Sequence, residues 1–310
     1  MTRIAAVQAA PVFLDRDATI DKACALIAEA AVNGAKLVVF PESFVPGYPD
    51  WVWLMPAGRG AQLSALYAEL LANSVSLDSE ATRRLCDAAR DAGVIVAIGV
   101  TERNDEASRA TMYNTLLIID ERGDVIGRHR KLVPTGGERL VWAQGDAAGL
   151  RVHQTSIGRI GGLICWENYM PLARFSLFAA GVQIYLAPTW DHGENWLATL
   201  RHIAREGRVY VVGCSIALRT EHIAERYEFR RLYSEGQEWI NPGGSAIVDP
   251  RGKIIAGPLE KAEEILYAEI DLEAARGAKW DLDTGGHYAR PDIFELRVDR
   301  SRRPMVSDDE

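Results

Sequence analysis

With 310 residues, 48% of them hydrophobic and 25% charged, the chain has the balance of a soluble globular protein with a sizeable core. Its formal net charge of -8 argues against a nucleic-acid or anionic-membrane partner, and no apolar stretch approaches the roughly 18 residues that span a bilayer. The start, MTRIAAVQAAPVFLDRD, reads as a first strand and a turn, not a signal peptide, and Cys24, Cys86, Cys165 and Cys214 show neither a C-x-x-C pair nor a metal-ligand spacing. The expectation is a cytoplasmic protein with free thiols and with no metal and no cofactor.

Short β-branched runs then alternate with amphipathic ones. Strands are predicted at 36–40, 94–100, 115–120, 160–165, 182–187, 209–215 and 245–249, and helices over Asp15–Asn33, Ser79–Ala92 and Asn195–Gly207, the first two closed by Gly34 and Gly93. The near-continuous apolar character of the strands implies sheets covered on both faces. Two segments echo each other: LIIDERGDVI (117–126) and AIVDPRGKII (246–255) both read as strand, Asp-x-x-Gly turn, strand. Either two common hairpins arose separately or half the chain was duplicated; the matching flanks favour duplication. The predicted fold is therefore α/β, a two-sheet αββα sandwich in one domain over residues 1–292, followed by a polar, poorly ordered tail at 293–310.

Three predicted strands end on a chemically capable residue, and strand ends are where open α/β sheets carry their chemistry. LVVFPESFVPGYPDW (37–51) delivers Glu42 into a rigid Pro/Gly loop; VIGRHRKLVPTGGERLVW (125–142) delivers Lys131, with Glu138 beyond a Gly-Gly turn. IGRIGGLICWENYMPLAR (157–174) ends on Cys165 ahead of a helix led by Pro171, whose dipole would favour a thiolate. Each has an ordinary reading too: a loop-capping carboxylate, a surface ion pair, a buried strand thiol. A free thiol is only a few per cent ionised at neutral pH and needs a base. The six histidines (129, 153, 192, 202, 222, 287) sit in no protease-like signature, so a carboxylate is the other route. No G-x-S-x-G elbow, G-x-G-x-x-G or Walker loop is present.

The segments FPESFVPGYP, HRKLVPTGGERLVWAQGD and GGLICWENYMPLAR resemble the three motif blocks of the nitrilases, the nitrile-hydrolysing branch of the nitrilase superfamily; IYLAPTWD, HIAREG and GGHYARPD extend the resemblance over roughly residues 3–292. Ala147 departs from it, standing where many relatives carry Gly. The resemblance implies a Glu-Lys-Cys triad: Cys165 the nucleophile, Glu42 the general base, Lys131 the charge that stabilises the tetrahedral intermediate, and Glu138 a second glutamate that positions substrate and lysine. The Trp166-Glu167 pair is closer to the nitrile-cleaving branch than to amidases and carbamoylases. The implied partner is a small-molecule nitrile, converted to acid and ammonia through a thioimidate and a thioester. The alternatives are an amidase, an N-carbamoyl hydrolase or a cyanide-hydrating enzyme on the same scaffold, and a catalytically silent assembly protein.

Trp53, Trp166, Thr189 and Trp190 are the expected pocket residues, lying just beyond Glu42 or facing the nucleophile. Relatives pair through the helix after the nucleophile, here PLARFSLFAAG (171–181), and many build larger spirals with the C-terminal region. A symmetric pair there would bury Arg174 and Phe175 near a two-fold axis and give a homo-oligomer of at least about 68 kDa, twice the 34.2 kDa chain.

Overall fold

The computed structural model describes residues 1–302; positions 303–310, the end of the expected tail, lie outside the described residues. In chain order the first half holds β1 (Thr2–Gln8), α1 (Arg16–Val32), β2 (Leu37–Val39), α2 (Trp51–Leu54), α3 (Gly60–Ala72), α4 (Glu80–Ala92), β3 (Ile95–Arg103), β4 (Met112–Ile119) and β5 (Val125–Arg130). The second holds β6 (His153–Thr155), β7 (Gly158–Gly162), α5 (Pro171–Ala179), β8 (Ile184–Thr189), α6 (Glu194–Gly207), β9 (Tyr210–Ser215), β10 (Ala217–Arg219), β11 (Trp239–Val248) and β12 (Ile254–Glu260). Then come β13 (Glu264–Ile270) and α7 (Leu272–Ala278).

Local chemistry sets the helix ends. Asp15 accepts from the Ala18 N–H at the start of α1, and Ser79 caps α4, which closes on Gly93 with a left-handed φ of 62°. Pro171 opens α5, as its fixed φ and missing N–H favour.

The first sheet runs β13-β1-β2-β3-β4-β5 and the second β10-β11-β9-β8-β7-β6, with β12 also on β11. Within each, three parallel strands joined by helical crossovers are followed by an antiparallel hairpin: β1, β2, β3 then β4 and β5; β7, β8, β9 then β11 and β12. The two hairpin turns repeat atom for atom. The Asp120 carboxylate accepts from the N–H groups of Arg122 and Asp124, and the Asp249 carboxylate from those of Arg251 and Lys253. The duplicated plan read from the two Asp-x-x-Gly segments is thus visible in the strand order.

The inner faces meet in one apolar layer that mixes Ile4, Val39, Ile95 and Leu116 with Ile164, Ile184, Leu186 and Val212, all buried. Helices α1 and α4 cover the outer face of the first sheet, α5 and α6 that of the second. This is the αββα sandwich. The exchange of water for apolar neighbours stabilises such a layer by about 1.5–3 kcal/mol per fully buried Val, Leu or Ile.

Two expectations need correction. The run predicted as a strand to Cys165 stops pairing at Gly162, where a side chain would collide with the Leu186 carbonyl; Cys165 then takes a left-handed φ of 51° and opens a 3-10 turn, Cys165–Tyr169. Arg174 does not await a second copy: it is buried within its own chain, donating to Glu206 and to the Asn168 carbonyl. Beyond residue 292, Val298 packs against the α5–α6 layer and Arg300 donates to the Leu150 carbonyl. Among the described residues no helix is long and apolar enough to cross a membrane.

Candidate active site

The parallel strands β2 and β8 run out at one edge of the sandwich, and the loops that leave them meet there. Past β2 the chain folds back over β3, where Gly99 is required: a Cβ would strike the Pro41 carbonyl and the Ser43 nitrogen. This seats Glu42 in the interior. Its Oε1 accepts from Asn114 Nδ2 at 2.7 Å and from Lys131 Nζ at 2.8 Å, and its Oε2 accepts from the Trp190 N–H at 2.7 Å.

Lys131 follows β5 and is fixed by backbone bonds at both ends, donating to the Asn114 carbonyl and accepting from Gly145. Its buried Nζ spends its donors on Glu42 Oε1 and on both oxygens of Glu138, at 3.0 and 2.8 Å. Glu138 sits in a 3-10 turn, Gly136–Leu140, and accepts from the Thr135 N–H and from the Tyr48 hydroxyl, each at 2.7 Å. Tyr48 in turn accepts from Trp53 Nε1 and lies stacked on Trp190, with ring centroids 4.2 Å apart and planes 10° from parallel.

Cys165 arrives from the second sheet. Its strained φ persists because the turn around it is tied down. Asn168 Nδ2 donates to the carbonyls of Cys165 and Leu163, and the Asn168 Oδ1 accepts from Tyr185. Glu167, wholly buried, accepts from the Ile164 N–H at 2.8 Å, from the Leu132 N–H at 2.6 Å and from His129 Nε2 at 3.0 Å. One carboxylate therefore fastens the neighbour of Cys165 to the neighbour of Lys131. The thiol itself accepts from Thr189 Oγ1 at 3.3 Å.

Burial dominates the electrostatics. It pushes the Cys165 thiol well above its ordinary value; Glu42 and Glu138 add to this, while Lys131 opposes it. Burial and the two carboxylates thus oppose the thiolate expected from a helix dipole, and α5 begins only at Pro171. Burial also raises Glu42 against the pull of Lys131. The same burial works against the Lys131 ammonium, but Glu42, Cys165 and Glu138 together hold its pKa above the usual lysine range.

Of the residues singled out from the sequence, Glu42, Lys131 and Glu138 form one hydrogen-bonded cluster whose charges act on Cys165. Thr189 touches the sulfur, and Trp190 meets the cluster through its backbone and its ring. Trp53 and Trp166 are different: 47% and 51% exposed, they stand at the rim, Trp53 on Tyr48 and Trp166 on Asp191. Sequence reasoning passed over Tyr48, Asn114, Asp191, Asn241 and the His129–Glu167 pair. His129 had a signal, since it lies two residues before Lys131 on an alternating strand.

Comparison with known proteins identifies the family. The model of the carbon-nitrogen hydrolase family matches residues 3–279. An aliphatic nitrilase of Sinorhizobium fredii is 42% identical over 98% of this chain and 97% of its own length, and a nitrilase of Bradyrhizobium diazoefficiens is 41% identical over 98% and 94%. Nit3 of Saccharomyces cerevisiae, a member of branch 10 of the nitrilase superfamily, superimposes with a TM-score of 0.71 at 24% identity, covering 91% of this chain and 94% of that one. The chain belongs to the carbon-nitrogen hydrolase family.

Proposed function

We propose that the protein hydrolyses an organic nitrile to the carboxylic acid and ammonia, with Cys165 as nucleophile, Glu42 as general base, Lys131 as the charge beside the developing intermediate and Glu138 as the group that holds the lysine. The observation that carries this reading is the buried Glu42–Lys131–Glu138 cluster acting electrostatically on a buried thiol that has no histidine as its bonded partner. A raised carboxylate is a stronger base for such a thiol than an ordinary one.

The chemistry follows. Glu42 takes the thiol proton as sulfur bonds to the nitrile carbon and passes it to the nitrogen, giving a thioimidate and freeing Glu42. Water, deprotonated by Glu42, adds to the same carbon; the C–N bond breaks with proton delivery to nitrogen, releasing ammonia and leaving a thioester. A second water adds, the C–S bond breaks, and the acid departs as the thiol regains its proton. Two waters are consumed per nitrile. Through both tetrahedral stages Lys131 offsets negative charge, which requires it to exchange one Glu138 contact for the substrate. Thr189 and Trp190 serve as inner pocket walls, and Trp166 and Trp53 as the rim.

The reading extends to setting and assembly. The four cysteines are free, as suits a reducing cytosol. Leu172 at the start of α5 is 65% exposed, and we assign the outer face of that helix to a dimer contact.

The test is ammonia release from a panel of aromatic, arylaliphatic and aliphatic nitriles and their amides, with Cys165→Ala beside the native protein. Turnover of at least one nitrile, abolished in a folded Cys165→Ala variant, is the expected result. Turnover of amides alone would make the protein an amidase, and full activity of the variant would remove Cys165 from the mechanism.

A further inference from the structure

The Thr189 hydroxyl has one hydrogen and two lone pairs. One lone pair is filled: the Asp191 N–H donates to Oγ1 at 2.8 Å. The hydrogen is thereby turned away from Asp191 and toward Cys165 Sγ, 3.3 Å off. Thr189 is fully buried at the end of β8, so no solvent competes for that hydrogen. Asp191 is held in turn. Its carbonyl accepts from Ser215 Oγ, and its carboxylate accepts from Trp166 Nε1 and the His192 N–H, both at 2.8 Å. The orientation of one hydroxyl is therefore built into the backbone.

We propose that Thr189 is a further catalytic residue, the donor that stabilises sulfur whenever it carries negative charge. The inference deepens the cysteine-nucleophile reading and rests on it. Sulfur is anionic at two moments: as the thiol loses its proton on attack, and as the C–S bond of the thioester breaks. At both, the Thr189 hydrogen bond strengthens while Thr189 keeps its proton, so no atom is transferred. The other groups that face the sulfur are accounted for. Glu42 and Glu138 oppose a thiolate, Lys131 favours it with its donors already committed to those carboxylates, and the Tyr48 hydroxyl donates to Glu138. The carboxylates of Asp191 and Glu167 are turned elsewhere. Thr189 is the one side chain that donates a hydrogen bond to the sulfur among the described residues.

The experiment reads the sulfur without a nitrile. The pH dependence of Cys165 alkylation by iodoacetamide is followed by peptide mass spectrometry, so that the other three cysteines do not intrude. Thr189→Val keeps the shape and removes the donor; Thr189→Ser keeps the donor; Thr189→Ala replaces the valine variant should that fail to fold. A hydrogen bond to a charged group is worth about ten- to a hundredfold in equilibrium, so valine should move the alkylation profile upward by about one to two pH units and lower kcat by a comparable factor with KM little changed. Serine should restore the native profile. An unshifted profile in a folded valine or alanine variant, or an equal shift in the serine variant, overturns the proposal. If instead the profile shifts but no nitrile is turned over by the native protein, the nitrilase reading fails and the Thr189 assignment stands.

Discussion

The two halves share a strand order and divide the chemistry unequally. Ala6 on β1 pairs with Val39 on β2, and Gly162 on β7 pairs with Leu186 on β8, so Glu42, just past β2, corresponds in register to Thr189, the last residue of β8, and Ala9 to Cys165. The first half carries all three charged groups, Glu42, Lys131 and Glu138. The second brings a thiol and a hydroxyl. On the proposed mechanism, proton handling and covalent bonding fall to separate halves of the fold, and the inner apolar layer that joins the sheets holds the two sets of residues together. At these corresponding positions the scaffold holds a carboxylate or a hydroxyl, an alanine or a cysteine, all of them buried.

If the charged half works as one device, its parts cannot be removed independently. Glu42→Gln and Lys131→Met should each lower kcat/KM by about 10²–10⁴-fold, and the double variant should fall little further than the worse single one. Steady-state kinetics on the four proteins decides this: losses that multiply would show two separate devices. A smaller effect is expected where the halves are tied. Glu167→Gln withdraws the charged acceptor shared by Leu132, Ile164 and His129, and should reduce kcat about ten- to a hundredfold by loosening Cys165 against Lys131.

Burial tends to raise Glu167, yet His129 and the two backbone donors hold it below its ordinary value near 4.5. The native protein therefore gains stability from it above that pH and loses it as pH falls through the lower, folded value. Denaturation midpoints across the acid range should show that limb in the native protein and not in Glu167→Gln.

The smallest effect belongs to the first half alone. Asp50, below Tyr48, is pushed up to about 6 by burial, with the Tyr233 hydroxyl as a counterweight. A carboxyl raised in this way favours the folded state fully below its ordinary 3.8 and loses that contribution as pH rises through about 6. Asp50→Asn keeps an acceptor for Tyr233 and should make the protein more stable at pH 8 by up to about 3 kcal/mol, with activity little changed. Chemical denaturation at pH 5 and pH 8 measures it; equal stabilities of the two proteins at pH 8 would show that the carboxylate is well solvated.

The sandwich was legible because burial on both faces writes long apolar runs, and a residue of chemical capability just past such a run stands out, as Glu42 and Cys165 do. The duplicated plan was legible through one turn, since a hairpin of Asp-x-x-Gly type needs its aspartate and glycine at fixed places. What escaped reading was set by distant contacts. β7 ends at Gly162, short of the apolar run, and the thiol is raised by a burial that no local sequence records. β13, which borders β1, is half-buried and lacks the strong alternation that would mark a strand. α3 buries only Leu66 and Leu70, too narrow a stripe to stand out. Tyr48 lies in a loop 90 residues before Glu138, and only the fold brings its hydroxyl onto that carboxylate.

Trp190 has a practical bearing on efforts to evolve this protein toward new substrates. If its ring lines the substrate pocket, as proposed, it invites reshaping, yet that ring also stacks on the tyrosine that holds Glu138. A library randomised at this codon would then sample the support of Glu138 together with the shape of the pocket. Selected variants would be separable into the two kinds only by their pH–rate profiles, and screens run at a single pH would confuse them.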